Sequence, residues 1–194
     1  MKQEEAFEIF RRTGVMQEGH FKLTSGRHSN RYMQCARLFQ YPEDSIRICT
    51  EIAEFFRKEK PDLVAGPAIG GIIMAYEVAR LLCVRNIFAE RENGLMTLRR
   101  GFDVSEGERA LVVEDVVTTG GSAAEVIDLL HARGVKVLGV GSVVDRSNGA
   151  VRFSAGGEPV PFHAVTVMNV ESWEAENCPL CREGLPVVKP GSRK

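Results

Sequence analysis

The sequence predicts an α/β protein: a mostly parallel sheet flanked by helices, with a small N-terminal hood. Three observations carry this. Short apolar runs rich in β-branched residues recur, at Leu63–Ala65, from Leu111, over Val135–Val144 and at Phe162–Val167, as buried strands do. Helical periodicity falls between them, at Ile72–Leu82 and through Val126, Ile127, Leu129 and Leu130. Two of the strand-to-helix junctions are rich in glycine, at Gly66–Gly71 and Thr118–Ser122. Strands alternating with helices in this way build parallel sheets with helices on both faces. The 194 residues suit one domain, 1–194, in which about residues 1–40 and the C-terminal tail form a hood over the core.

Composition narrows the function classes. Hydrophobic content of 44% and charged content of 26% are ordinary for a globular protein. A net charge of −1 supplies no basic field for nucleic acid. The polar start Met1-Lys2-Gln3-Glu4-Glu5 has no apolar segment after it, so neither a signal peptide nor a membrane span is expected and the reading is cytoplasmic. Five cysteines, an odd number, argue against a disulfide framework.

In chain order, Ala6, Ile9 and Phe10, with Phe7, make an amphipathic helix that Gly14 ends. Phe21 and Leu23 alternate with polar residues, Ser25-Gly26 marks a turn, and Tyr32-Met33-Gln34 resumes an extended run, which predicts a hairpin with a polar tip. Pro42 opens a helix with Glu43 and Asp44 in its first turn, where acids favour the macrodipole. Ile46, Cys49, Ile52, Ala53 and Phe56 share its apolar face. After Pro61 come the strand Leu63–Ala65, the Gly66–Gly71 loop and the Ile72–Leu82 helix. Asn86–Ala89 reads as a further strand. Residues 90–108 then form a long connection without clear periodicity, in which Gly94, Gly101 and Gly107 are candidate hinges and Arg99-Arg100 a source of positive charge; the bland reading is a solvated β-ribbon with surface charges. The tail from Asn177, with Pro186 and Pro190-Gly191, reads as irregular chain on the surface.

Leu111 to Ser122 organises the rest. An apolar strand leads into Glu114-Asp115, then into Thr118-Thr119-Gly120-Gly121-Ser122, then into a helix that runs to Gly134. Glycines let backbone N–H groups approach an anion, hydroxyls add donors, and the helix N-terminus adds positive potential: a phosphate cradle. The carboxylates beside it suit hydroxyls or a phosphate-bound cation. Phosphate and diol together describe a ribose phosphate. A dinucleotide loop would place its acid roughly 20 residues after the glycines, whereas here the acids come first. Arg146, just past a strand's carboxyl end, sits at the usual ligand crevice of such sheets, where its fork suits a carboxylate. The bland reading is an ion pair with Asp145 or another neighbour.

Val113–Ser122 resembles the diphosphoribosyl-binding motif of the type I phosphoribosyltransferases. Together with Phe21-Lys22-Leu23-Thr24-Ser25-Gly26-Arg27-His28-Ser29 and Val144-Asp145-Arg146, it is similar to the orotate phosphoribosyltransferases, from about Phe7 through the tail. The resemblance implies transfer of a 5-phosphoribosyl group from 5-phospho-α-D-ribose 1-diphosphate to orotate, in pyrimidine biosynthesis, with Mg²⁺ carried on the diphosphate rather than held by protein ligands. It implies a homodimer. By position, the donor is bound by Arg91, Glu114, Asp115, Val116, Val117, Thr118, Thr119, Gly120, Gly121 and Ser122, and the Gly66–Gly71 loop faces its diphosphate. Orotate is bound by Thr118, Arg146, Ser25 and His28. Glu114, Asp115, Arg99 and Arg100 are the expected catalytic groups, the arginines reaching the neighbouring subunit's site. The chain departs from commoner members at His28 and Gly70, where lysine is frequent, and at Glu92 and Arg99-Arg100 in place of a lysine-rich loop.

Two other readings compete. A purine or xanthine phosphoribosyltransferase would share the phosphate motif without a reason for Arg146. A regulator keeping the fold as a sensor would need a DNA-binding segment, and no basic patch is present. Cys178 and Cys181 have the spacing of half a zinc site or a redox pair. Four ligands are needed, and Cys35, Cys49, Cys83 and the histidines show no partner spacing. The expectation is a thiol pair in a surface tail, without zinc.

Overall fold

A computed structural model describes residues 1–23 and 25–190. Thr24 and Gly191 lie outside the described residues. The chain runs α1 (Gln3–Arg12), β1 (Met16–Lys22), β2 (His28–Met33), α2 (Pro42–Phe56), β3 (Leu63–Pro67), α3 (Gly70–Leu82), β4 (Arg85–Glu92), β5 (Leu95–Leu98), β6 (Arg109–Val117), α4 (Gly121–His131), β7 (Lys136–Asp145), β8 (Phe153–Ala155), β9 (Glu158–Val160), β10 (Phe162–Val167), β11 (Ser172–Trp173) and α5 (Pro179–Arg182).

Six strands form the central sheet, in the order β10-β7-β6-β3-β4-β5. All its pairings are parallel except that of β4 with β5. The strand at its centre shows why helices cover both faces. Along β6, Leu111 and Val113 enter one core cluster, with Ile52 and Phe56 of α2 and Met74 of α3. Ala110, Val112 and Val117 enter the other, with Val126, Ile127 and Leu130 of α4. Side chains alternate across a pleat, so an unbroken apolar run feeds two cores at once. Each large aliphatic or aromatic side chain so buried contributes roughly 1.5–3 kcal/mol relative to exposure.

The approach of α2 to the sheet is set by two glycines of β7. A Cβ on Gly139 would lie 2.2 Å from Phe56 Cε1, and one on Gly141 would lie 2.4 Å from Ile52 Cγ2. The glycines are the hollows into which the helix side chains fit.

The hood is a three-stranded antiparallel sheet, β1-β2-β11. Arg27, in the polar turn, donates from Nε to Ser172 Oγ at 2.9 Å and pairs with Glu174. The tail is more ordered than its composition suggests. It includes the short α5, and Val188 exchanges backbone hydrogen bonds of 2.8 Å with Lys22 and His20.

Two short hairpins complete the strands, the first of them the ribbon reading of its segment. Within 90–108, β4 continues to Glu92 and folds back as β5 through Asn93-Gly94, both at positive φ (51° and 85°). An Asn-Gly pair is the strongest short-range hairpin signal, and the lack of long-range periodicity hid it. Likewise Gly156-Gly157, at φ 58° and 90°, closes the β8–β9 hairpin, which covers α4. The helix expected from Ile72 begins at Gly70.

Candidate active site

The site is built where β6, β3 and β7 end together. β6 carries Glu114 and Asp115 out of the core, and Gly120, at φ 77°, makes the turn into α4. Only glycine takes that conformation without a Cβ penalty, and Gly120 is also packed: a Cβ would lie 2.9 Å from Phe153 and Val151. The first turn of α4 therefore points free N–H groups past Thr118 and Thr119, as an anion site requires.

Both carboxyls are poor at holding charge without a ligand. Glu114 is pushed up to about 7, first by burial and then by the neighbouring Asp115 charge, against the backbone N–H of Ala123 and the Ser122 hydroxyl. Asp115 is raised by burial, although its Oδ1 accepts from the Val116 N–H at 3.0 Å. Hydroxyl donors or a cation from a ligand would favour the charged forms.

The Gly66–Gly71 loop converges on the same carboxylates. A Cβ on Gly70 would stand 2.7 Å from both Asp115 oxygens, and one on Gly66 would stand 2.6 Å from the Gly71 carbonyl oxygen. The loop and α3 thus lie against β6 only because these positions have no side chain. The Ala68–Ile69 peptide in this loop is cis.

Arg146 closes the crevice from β7. Its backbone N–H donates to the Val117 carbonyl at 2.8 Å, which fixes the residue beside the phosphate loop. Asp145 is not its partner, because the Asp145 carboxylate accepts from the Ser147 and Gly149 N–H groups at 2.7 and 3.0 Å. Burial lowers the Arg146 pKa, and its Nε is a buried donor with no hydrogen-bond acceptor among the described residues. Tyr32 of the hood and Cys35 are close enough to couple to its charge, and Cys35 also couples to Asp115. The hood strand therefore runs up to the crevice.

The structure distributes the remaining expected residues more widely. Arg91 is held by Glu125 of α4, its Nη2 donating to Oε1 at 2.7 Å. Arg99 lies 3.3 Å from Glu92 and Arg100 lies 3.1 Å from Glu90. Arg100 also sits 5.8 Å above the Phe88 ring, which Phe102 packs edge-on. The two arginines are thus docked on their own hairpin. Ser25 is exposed at the tip of the hood.

His28 is buried, and its Nδ1 points at His20 Nε2 (2.9 Å) and Cys181 Sγ (3.3 Å). The expectation of a surface thiol pair without partner ligands is corrected in part: Cys181 is exposed as expected, but Cys178 is fully buried and both cysteines face these two histidines. His20 and His28 face each other across the β1–β2 hairpin, and a register shift between Glu18 and Phe21 kept their juxtaposition out of the linear spacing.

This crevice of buried carboxylates, glycine-rich loop and helix N-terminus defines a phosphoribosyltransferase, and residues 40–176 match the phosphoribosyl transferase domain family. Over its whole length the chain is 57% identical to an orotate phosphoribosyltransferase of Thermoanaerobacter sp., covering 100% of both chains. It is 53% identical to one of Thermotoga petrophila, over 96% of this chain and 97% of the other. Among solved structures, the orotate phosphoribosyltransferase of Aeropyrum pernix superposes with a TM-score of 0.68 at 25% identity, covering 83% of this chain and 92% of that one. The chain belongs to the orotate phosphoribosyltransferase family.

Proposed function

We propose that this protein transfers the 5-phosphoribosyl group of 5-phospho-α-D-ribose 1-diphosphate to orotate, giving orotidine 5′-monophosphate and diphosphate in pyrimidine biosynthesis. The observation that carries the choice of orotate is Arg146: a half-buried arginine whose Nε is buried and unpartnered, held beside the Thr118–Ser122 turn. A purine base offers such a group only neutral acceptors. A carboxylated pyrimidine gives it a charge-assisted pair.

Breaking the bond to diphosphate develops positive charge on the ribose and negative charge on the leaving group. Thr118–Ser122 and the α4 N-terminus hold the 5′-phosphate. Glu114 and Asp115 accept from the ribose hydroxyls and stabilise the positive charge, with no need to take a proton. Such preorganised electrostatics is usually the largest catalytic contribution. Mg²⁺ bound to the diphosphate would lower the charge of the leaving group. The two buried carboxyls fit a cation-bearing ligand, since their raised pKa values mark uncompensated charge.

The arginine hairpin serves as the cover that keeps out water, which would otherwise compete as acceptor. We place the protein in the cytoplasm as a homodimer, acting on small molecules rather than nucleic acid. No helix among the described residues is long and apolar enough to cross a membrane. Ile69, Ile73 and Tyr76, at 86%, 54% and 60% exposure, form an apolar stripe at the start of α3. The stripe adjoins the Gly66–Gly71 loop and offers a second copy an apolar face beside the site. The reading is tested by diphosphate release from the donor with orotate as acceptor.

A further inference from the structure

We propose that His20, His28, Cys178 and Cys181 form a structural zinc site that fastens the C-terminal tail to the hood. The four ligand atoms all lie within 4.8 Å of one another. His20 Nε2 is 2.9 Å from His28 Nδ1, 3.5 Å from Cys178 Sγ and 3.7 Å from Cys181 Sγ, and His28 Nδ1 is 3.3 Å from Cys181 Sγ. Zinc bonds of about 2.0–2.1 Å to nitrogen and 2.3 Å to sulfur, in a tetrahedron, place ligand atoms roughly 3.3–3.8 Å apart. The cluster already has nearly that spacing.

The surroundings favour a metal over a chance packing of polar groups. His20 Nδ1 is 2.8 Å from the Leu185 carbonyl oxygen. A carbonyl only accepts, so Nδ1 carries the ring proton and Nε2 presents its lone pair to the cluster. A second ring nitrogen bonded to a backbone carbonyl is the usual way a ligating histidine is oriented. His20, His28 and Cys178 are buried and Cys181 is at the surface edge, so four protein ligands are present without a water. Two thiolates and two imidazoles in a closed tetrahedron select zinc among common divalent ions. Binding forms two Zn–S and two Zn–N bonds and releases two thiol protons to solvent, with no change of oxidation state.

The site has a structural use. His20 and His28 come from β1 and β2, whereas the cysteines flank and enter α5, some 150 residues later in sequence. α5 is a single turn, from Pro179 to Arg182, too short to hold its position by its own hydrogen bonds. A metal joining the two segments would fix the tail along β1, and with it the hood strand that reaches Tyr32 and Arg146.

The test is metal content and coordination in the intact protein. Purified protein is stripped with a chelator, loaded with Zn²⁺ or Co²⁺ under reducing conditions and freed of loose metal by gel filtration. One zinc per chain is expected, together with the intense visible absorption of tetrahedral, thiolate-bound cobalt. Cys178→Ser/Cys181→Ser should lose both signals, and Cys83→Ser should keep them. Removing zinc should lower the melting temperature of the wild type and readdition should restore it, with no response in the double variant. His20 and His28 also pack within the hood, so His20→Gln is read by its cobalt spectrum, which should weaken or shift. Substoichiometric zinc with a pale, octahedral cobalt spectrum would overturn the proposal. So would zinc retained by the double-cysteine variant, or a Cys178–Cys181 disulfide in protein isolated without oxidant. These readouts do not depend on turnover, so they stand or fall apart from the assignment of orotate.

Discussion

Gly70 and Asp115 face each other so closely that a Cβ on the glycine would stand 2.7 Å from either carboxylate oxygen. One comes from the start of α3 and the other from the end of β6, so the missing side chain sets how the Gly66–Gly71 loop meets the carboxylates of β6. Gly70→Ala should push the Asp115 carboxylate aside with little loss of stability. Misplacing a positioned group by about an ångström costs on the order of 100-fold in rate. Steady-state kinetics beside a thermal melt checks this. Normal kcat/KM in the folded variant would show that the contact has no functional weight.

The buried acid pair gives a pH dependence with a definite sign. Glu114 is raised to about 7 in the folded protein, and Asp115 is raised in the same direction. A carboxyl with a raised folded pKa favours the fold while protonated. That contribution is complete below the unfolded value near 4.5 and is lost as pH rises through about 7. The ligand-free wild type should therefore lose stability relative to Glu114→Gln between pH 5 and pH 8, by up to about 3 kcal/mol. Urea titrations at the two pH values measure it. Parallel pH profiles for the two proteins would mean that Glu114 is ionised without a ligand.

Arg146→Ala should raise the KM for orotate far more than that for the ribose donor. Removing one partner of a buried, charge-assisted pair costs on the order of 2–5 kcal/mol. Equal effects on both substrates would assign Arg146 a structural role.

The arginine hairpin is tested by mixing subunits. In a single chain, Arg99 and Arg100 rest on Glu92 and Glu90, so their use on a ligand requires release from those partners. Arg99→Ala/Arg100→Ala and Asp115→Asn homodimers should each be nearly inactive, with kcat and kcat/KM lowered together where a transition-state contact is lost. If the hairpin serves the neighbouring site, mixed dimers regain one intact site, up to a quarter of the wild-type site activity in a statistical mixture. Verified subunit exchange without recovery would place the hairpin in its own site or in none.

The parallel sheet and the glycine turn from β6 into α4 were legible because both are local. β6 and the turn into α4 are contiguous, and the alternation of apolar runs with helical spacing names the layers. What escaped was decided by pairing between distant segments. His20, His28, Cys178 and Cys181 meet only because the tail returns to β1. The fold also shows Arg91 committed to Glu125, and Arg146 left free by an Asp145 that caps its own loop, neither of which spacing conveys. The Asn93-Gly94 and Gly156-Gly157 turns are local and carry their own hairpin signal in their glycines.

The central claim is that the half-buried Arg146 selects a carboxylated pyrimidine for ribosyl transfer. Its most direct test is initial-rate diphosphate release from 5-phospho-α-D-ribose 1-diphosphate and Mg²⁺, with orotate, uracil, adenine and hypoxanthine offered separately as acceptor. Rapid release with orotate alone, accompanied by stoichiometric orotidine 5′-monophosphate, is the predicted result. Turnover with uracil or a purine base at a rate matching or exceeding that with orotate would contradict it.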